Sequence, residues 1–96
     1  MSKIEMPKMS EILKEEFMEP LGISASRLAN DIGVSISRIQ GILHDKRRIT
    51  ADTSIRLGRY FGVSSRYFID IQSDIDIRNV EPNIHNEISK IAPVAL

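Results

Sequence analysis

Between Ser24 and His44 the small and apolar residues fall at spacings that few folds satisfy at once. Leu28 and Ala29 are followed by Ile32, Gly33 and Val34, and then by Ile39 and Ile42. Taken at 3.6 residues per turn, this pattern predicts two short amphipathic helices joined by a tight turn. Helices that cross steeply over so short a connection leave little room where they meet, and Ala29 is small enough to sit there. Gly33 supplies the permissive backbone that ends the first helix, so that the next begins three residues later. Ser24 and Ser35 stand just ahead of the two helices, where a hydroxyl can accept one of the amide protons that every helix start leaves free. Residues 24–44 are therefore predicted to form a helix-turn-helix.

The remaining chain supplies helices around this unit. Met9, Ile12, Leu13 and Phe17 recur at three- and four-residue steps and predict a helix from Ser10 to about Met18, ended by Pro20 and Gly22. Thr50 caps a fourth helix through Ser54, Leu57, Gly58 and Phe61, closed by Gly62 with Val63 behind it in a Schellman stop. Glycine inside a helix costs about 1 kcal/mol relative to alanine, so Gly58 is expected to admit the close approach of a neighbouring helix. Ser64 is expected to cap a fifth helix whose apolar stripe is Phe68, Ile71 and Ile75, with Tyr67 and Ile77 at its margins. Past Asn79 the pattern weakens. Ile84, Ile88 and Ile91 keep helical spacing up to Pro93, enough for a short amphipathic turn. The expectation is an all-α fold: a five-helix domain over residues 1–78 and a short C-terminal tail over 79–96 that is helical at most in part.

Composition narrows the function. The 96 residues are one domain's worth of core, and the absence of cysteine excludes disulfides, thiolate zinc sites and thiol catalysis. His44 and His85 have no partner at ligand spacing, and no glycine-rich phosphate loop or nucleophile motif appears, so neither an enzyme nor a metal or cofactor is expected. There is no apolar run of membrane-spanning length and the first residues are charged throughout, which points to the cytoplasm. Net charge is zero, but it is unevenly spread. From Ser24 to Arg66 eight basic residues face three acidic ones, a surplus of +5, while residues 1–23 carry −2 and residues 67–96 carry −3. The basic block coincides with the helix-turn-helix, which makes duplex DNA the expected partner.

In that motif the second helix enters the major groove with its N-terminal residues toward the base edges. Ser35, Ile36, Ser37, Arg38 and Gly41 are then nearest the bases. The serines can hydrogen-bond bases or phosphates, Ile36 can meet a thymine methyl, and Arg38 can chelate guanine or grip a phosphate. Gly41 would admit the groove wall without a side-chain contact. Ser24, Arg27, His44, Lys46, Arg47 and Arg48 lie where the motif's flanks meet phosphates, and they would add affinity without sequence information. Arg56 and Arg59 are expected on the solvent face of the fourth helix. One such motif reads too few base pairs for a genomic address, so a symmetric dimer on a palindromic operator is expected, with Phe68, Ile71 and Ile75 as its dimer or partner contact. The alternative for that stripe is completion of the monomer core.

The runs EILKEEFMEPLGIS, SRLANDIGVSISRIQGILHDKRRITADTSIRLGRYFGVS and DIQSDIDIR, which cover about residues 11–78, resemble the HigA/VapI-type antitoxins. Their EPLG, SRI, ITADT and LGRYFG segments are more specific than a generic helix-turn-helix. The resemblance implies a lambda-repressor-like fold in the xenobiotic-response-element class, and a homodimer that represses its own operon. It also implies a cognate ribonuclease toxin that the protein binds and silences; a stand-alone repressor without such a partner is the alternative. Two departures stand out. Ala25 occupies a place where many relatives carry a phosphate-binding glutamine, and Lys8-Met9-Ser10 replaces a His-Pro-Gly ahead of the first helix.

Overall fold

The computed structural model describes residues 7–95, and these contain helices and no strand. Helix α1 is one continuous run built from an α-helical turn Met9–Glu11, a π-helical stretch Ile12–Met18 and a last turn Glu19–Leu21. Pro20 does not end it, contrary to expectation. A proline ring collides with the carbonyl four residues back in a regular α-helix. Here the Glu19 amide instead bonds five residues back, to the Lys14 carbonyl, and the wider turn carries the proline. Gly22, in the left-handed region at φ +63°, ends the helix.

The predicted motif follows as α2 (Ala25–Ile32) and α3 (Ile36–Leu43), and then α4 (Ala51–Phe61). The hydroxyls of Ser24, Ser35 and Thr50 accept the backbone N–H of Arg27, Arg38 and Thr53, three residues on in each case. Gly33 turns left-handed at φ +73°, and the next amide, that of Val34, bonds the Ala29 carbonyl at 3.0 Å. The same stop closes α4, where the Val63 amide bonds the Gly58 carbonyl at 2.9 Å.

Helix α5 (Tyr67–Val80) starts later than predicted. Ser64 does not cap it; its hydroxyl accepts the Arg66 amide at 3.1 Å and shapes the turn ahead of the helix, whose own capping position is Arg66. A 3-10 turn Glu81–Ile84 and a single turn α6 (His85–Ile88) complete the chain's helical part.

Leu13, Leu28, Ile39, Ile42, Leu57 and Phe68 lie at the centre of one core, so α1 to α5 all contribute to it. Phe17 brings α1 onto the α4–α5 junction, with ring centroids 5.1 Å from Phe61, 5.8 Å from Tyr67 and 5.0 Å from Phe68. Ser54 is fully buried yet satisfied: its hydroxyl donates to the Ser65 carbonyl at 2.7 Å and accepts the Ile69 amide at 3.0 Å, tying α4 to α5.

Two expectations change here. Phe68 is completely buried and Ile75 is 6% exposed, with Ile71 packed partly buried beside them, so the stripe predicted as a partner contact is consumed by the chain's own core. Toward its C-terminal end α5 leaves Ile77 and Val80 outside, which with Ile84 and Ile88 line one groove rimmed by Asp76 and Glu81. Gly58, for its part, makes room for backbone and not for a helix: a Cβ there would stand 2.5 Å from the Ser64 carbonyl oxygen. Backbone cannot swing aside as a side chain can. Gly58→Ala is therefore expected to destabilise the fold by about 1–3 kcal/mol despite alanine's better helix propensity, as a lowered urea midpoint; an unchanged or raised midpoint contradicts the packing.

Candidate nucleic-acid interface

The first turn of α3 is open to solvent. Ser35 and Ser37 are exposed with their hydroxyls 3.3 Å apart, and Ile36 between them keeps 41% of its surface. Arg38 is half-buried beside them. The fifth predicted groove residue differs: Gly41 is half-buried under the Arg47 stem, whose Cγ would lie 2.8 Å from an added Cβ. Its carbonyl accepts the amides of Lys46 and Arg47 at 2.7 and 3.0 Å. Gly41 thus seats the following loop against α3.

That loop carries the cations. His44 ends α3, its Nδ1 within 2.8 Å of the Gln40 carbonyl, and Asp45 turns the chain at φ +58° while accepting the Ser10 hydroxyl at 3.1 Å. Arg48 pairs with Asp76 on α5. Ile49 then plunges into the core, its amide meeting the Gln72 side-chain oxygen at 3.4 Å, and Gln72 donates onward to Asp76 at 3.2 Å. The loop is held between α1 and α5, so Lys46, Arg47 and Arg48 are presented on a fixed frame. With Arg38, Thr50, Asp52 and Thr53 they line one cleft beside the first turn of α3. On the other flank Ser24 caps α2, and exposed Arg27 pairs with Asp31 at 3.4 Å.

Sequence reasoning missed the residues that organise this surface. Arg56 is not merely a solvent-face cation: its guanidinium donates to the Ile32 carbonyl at 2.7 Å, taking up a free acceptor at the end of α2, and to Asp52 at 2.8 Å. Asp52 in turn accepts Arg38 at 2.9 Å. The four-residue step from Asp52 to Arg56 was a visible signal. Gln72 likewise sat inside the α5 stripe, four residues after Phe68 and three before Ile75. Arg48 and Asp76 are 28 residues apart and carry no local signature.

Two titrations follow from these contacts. The hydrogen bonds from Arg56 and then Arg38 hold the Asp52 carboxyl below its ordinary value. Its contribution to stability is therefore present above the unfolded carboxylate range, about 3.9, and is lost as acid carries the pH down through the lower folded value. Tyr60 donates to the Asp31 carboxylate at 2.6 Å, and that bond lifts its phenol above the usual value near 10. The stabilisation persists below that pH and disappears as alkali ionises the ring. In a Tyr67→Phe background, tyrosinate absorbance is expected to rise later than for free tyrosine, and Asp31→Asn to remove the delay; a delay that survives the substitution contradicts the assignment.

Against known proteins, a helix-turn-helix family profile matches residues 14–68. The chain is 41% identical to virulence-associated protein I of Dichelobacter nodosus over 95 residues, which span 97% of this chain and 87% of that protein. It belongs to the helix-turn-helix family, in its HigA/VapI-type branch. Among solved relatives, the Pseudomonas aeruginosa antitoxin HigA with the higBA promoter superposes with a TM-score of 0.82 at 32% identity, over 93% of this chain and 98% of that one. A HigA-family addiction module antidote protein from Coxiella burnetii gives 0.84 at 29% identity, over 95% and 100%. The five-helix architecture is thus that of this family. No helix among the described residues is long and apolar enough to cross a membrane.

Proposed function

We propose that this protein is a cytoplasmic antitoxin that, as a homodimer, binds operator DNA to repress its own operon and neutralises a cognate RNA-cleaving toxin. The observation that carries the reading is the likeness, over nearly the whole chain, to a HigA antitoxin solved with its promoter. The surface agrees with it. An exposed first turn of α3 stands beside a cleft of four cations, the combination in which base contacts specify and phosphate contacts position. In this reading residues 1–78 form the DNA-binding domain, and Ser35, Ile36, Ser37 and Arg38 face the bases. Ser24, Arg27, His44, Lys46, Arg47 and Arg48 grip phosphates. In this reading the dimer or toxin contact moves from Phe68, Ile71 and Ile75 to the exposed groove of Ile77, Val80, Ile84 and Ile88, which continues into the 79–96 tail.

Charge makes the double role physically reasonable. The acidic segments 1–23 and 67–96 flank the basic block, so a basic ribonuclease can be steered to them while the DNA face stays free. Co-expression with the neighbouring gene product tests the claim. A co-purifying complex that still shifts the upstream promoter fragment is the expected result. A protein that shifts the fragment but captures no neighbour is a stand-alone repressor, and one that does neither rejects the reading.

A further inference from the structure

Asp52 is the one carboxylate among the residues lining a cleft of cations built to meet phosphates. In such a place a negative charge repels the backbone of any duplex, so it weakens DNA binding of every sequence alike. We propose that Asp52 is a positioning residue for base readout, fixing Arg38 in the conformation that reads the operator. This rests on the reading of α3 as the helix that meets the base edges.

The geometry gives the carboxylate a rigid footing. Asp52 lies in the first turn of α4, where the helix N-terminus favours a negative charge. Its Oδ1 accepts both Arg56 Nε at 2.8 Å and Arg38 at 2.9 Å. Arg56 is itself tethered to the Ile32 carbonyl at 2.7 Å. A relay therefore runs from the end of α2 through Arg56 and Asp52 to the first turn of α3, and each link is a charge-assisted hydrogen bond. Arg38 is a long side chain with many rotamers, and ordering it only when DNA arrives would weaken the specific complex. A guanidinium has five N–H donors; the bond to Asp52 occupies one, and the others suffice for the paired acceptors of a guanine edge. The carboxylate thus sacrifices general affinity and gains a preformed reader.

The two effects have opposite signs, which separates this role from a purely structural one. Wild type, Asp52→Asn, Asp52→Glu, Arg38→Ala and the Asp52→Asn/Arg38→Ala double variant are each used to select from a pool of randomised duplexes, and then titrated with the wild-type consensus and with a scrambled duplex. Asp52→Asn is expected to bind scrambled DNA more tightly than wild type, while its preference for the consensus falls by roughly three- to tenfold, concentrated at the base pair whose enrichment Arg38→Ala abolishes. Asp52→Glu keeps the charge and should restore most of the preference. In the Arg38→Ala background, Asp52→Asn should cost no further discrimination. The proposal is overturned if Asp52→Asn loses affinity for both duplexes together, if it discriminates as wild type does, or if its loss of preference persists without Arg38. Should the wild-type protein enrich no sequence, the proposed function fails first and this role with it.

Discussion

Phe68→Ala is expected to lower the free energy of unfolding by about 3–5 kcal/mol, the range for emptying a fully buried aromatic site. Domains of this size have only about 5–15 kcal/mol in total, so the variant should be largely unfolded at temperatures the wild type tolerates. The cost is large because the ring has no freedom to be replaced: it is inaccessible to solvent and packed against Phe17 at 5.0 Å and Phe61 at 6.2 Å, on three different helices. The measurement also settles which surface this residue serves. Core loss appears in urea unfolding at every protein concentration, whereas loss of a dimer contact would appear only at concentrations where the protomers are associated and would vanish on dilution. Ile77→Ala, on the exposed flank of the same helix, should leave the unfolding free energy within about 0.5 kcal/mol at low protein concentration. If the two substitutions behave alike, the division of α5 into a buried and an exposed face is wrong.

What could be read in advance from the chain depended on how far apart the interacting groups lie. Ser24, Ser35 and Thr50 each accept an amide three residues on, and Gly33 and Gly62 turn left-handed where their helices stop. Such contacts are complete within one turn, so residue type and spacing suffice to predict them. Pro20 misled because its remedy, a π-helical stretch beginning eight residues earlier at Ile12, leaves no compositional trace. Ser64 misled differently: it does make the short hydroxyl-to-amide bond its type favours, but to Arg66, the residue just ahead of the helix and not one inside it. For α5 the period was correct and the direction of the face was correct, yet no period says whether a neighbouring helix or another molecule covers that face. Gln72, buried in the middle of it, was the clue, since a polar side chain there serves the chain's own loop through Ile49. The candidate site divides the same way. The exposed turn of α3 follows from the motif, while the restraint of Arg38 by Asp52 and of Arg48 by Asp76 spans 14 and 28 residues and exists only once the helices have packed.

Those restraints decide which cations should govern binding to DNA. For the proposed dimer, affinity for the promoter fragment should fall linearly with salt on logarithmic axes, by about 0.9 for each phosphate neutralised. Arg48 has a carboxylate partner in Asp76, and part of its charge is already answered within the protein. Replacing Lys46 and Arg47 by methionine removes two charges per protomer but keeps the aliphatic stems, including the one that packs over Gly41. If both cations contact phosphates in each half-site, four contacts disappear from the dimer and the slope should become shallower by about 3.6. Over a fourfold rise in salt, the affinity lost by the variant should then be smaller than that lost by the wild type by about a hundredfold. Arg48→Met should flatten the slope less, because the charge it removes is already partly neutralised by Asp76, which keeps only its bond from Gln72 in the variant. Fluorescence anisotropy across a salt series distinguishes the cases. A slope unmoved by the Lys46→Met/Arg47→Met pair would place the phosphate contacts elsewhere on the molecule, and a larger change from Arg48→Met than from the pair would mean that its bond to Asp76 opens when DNA binds.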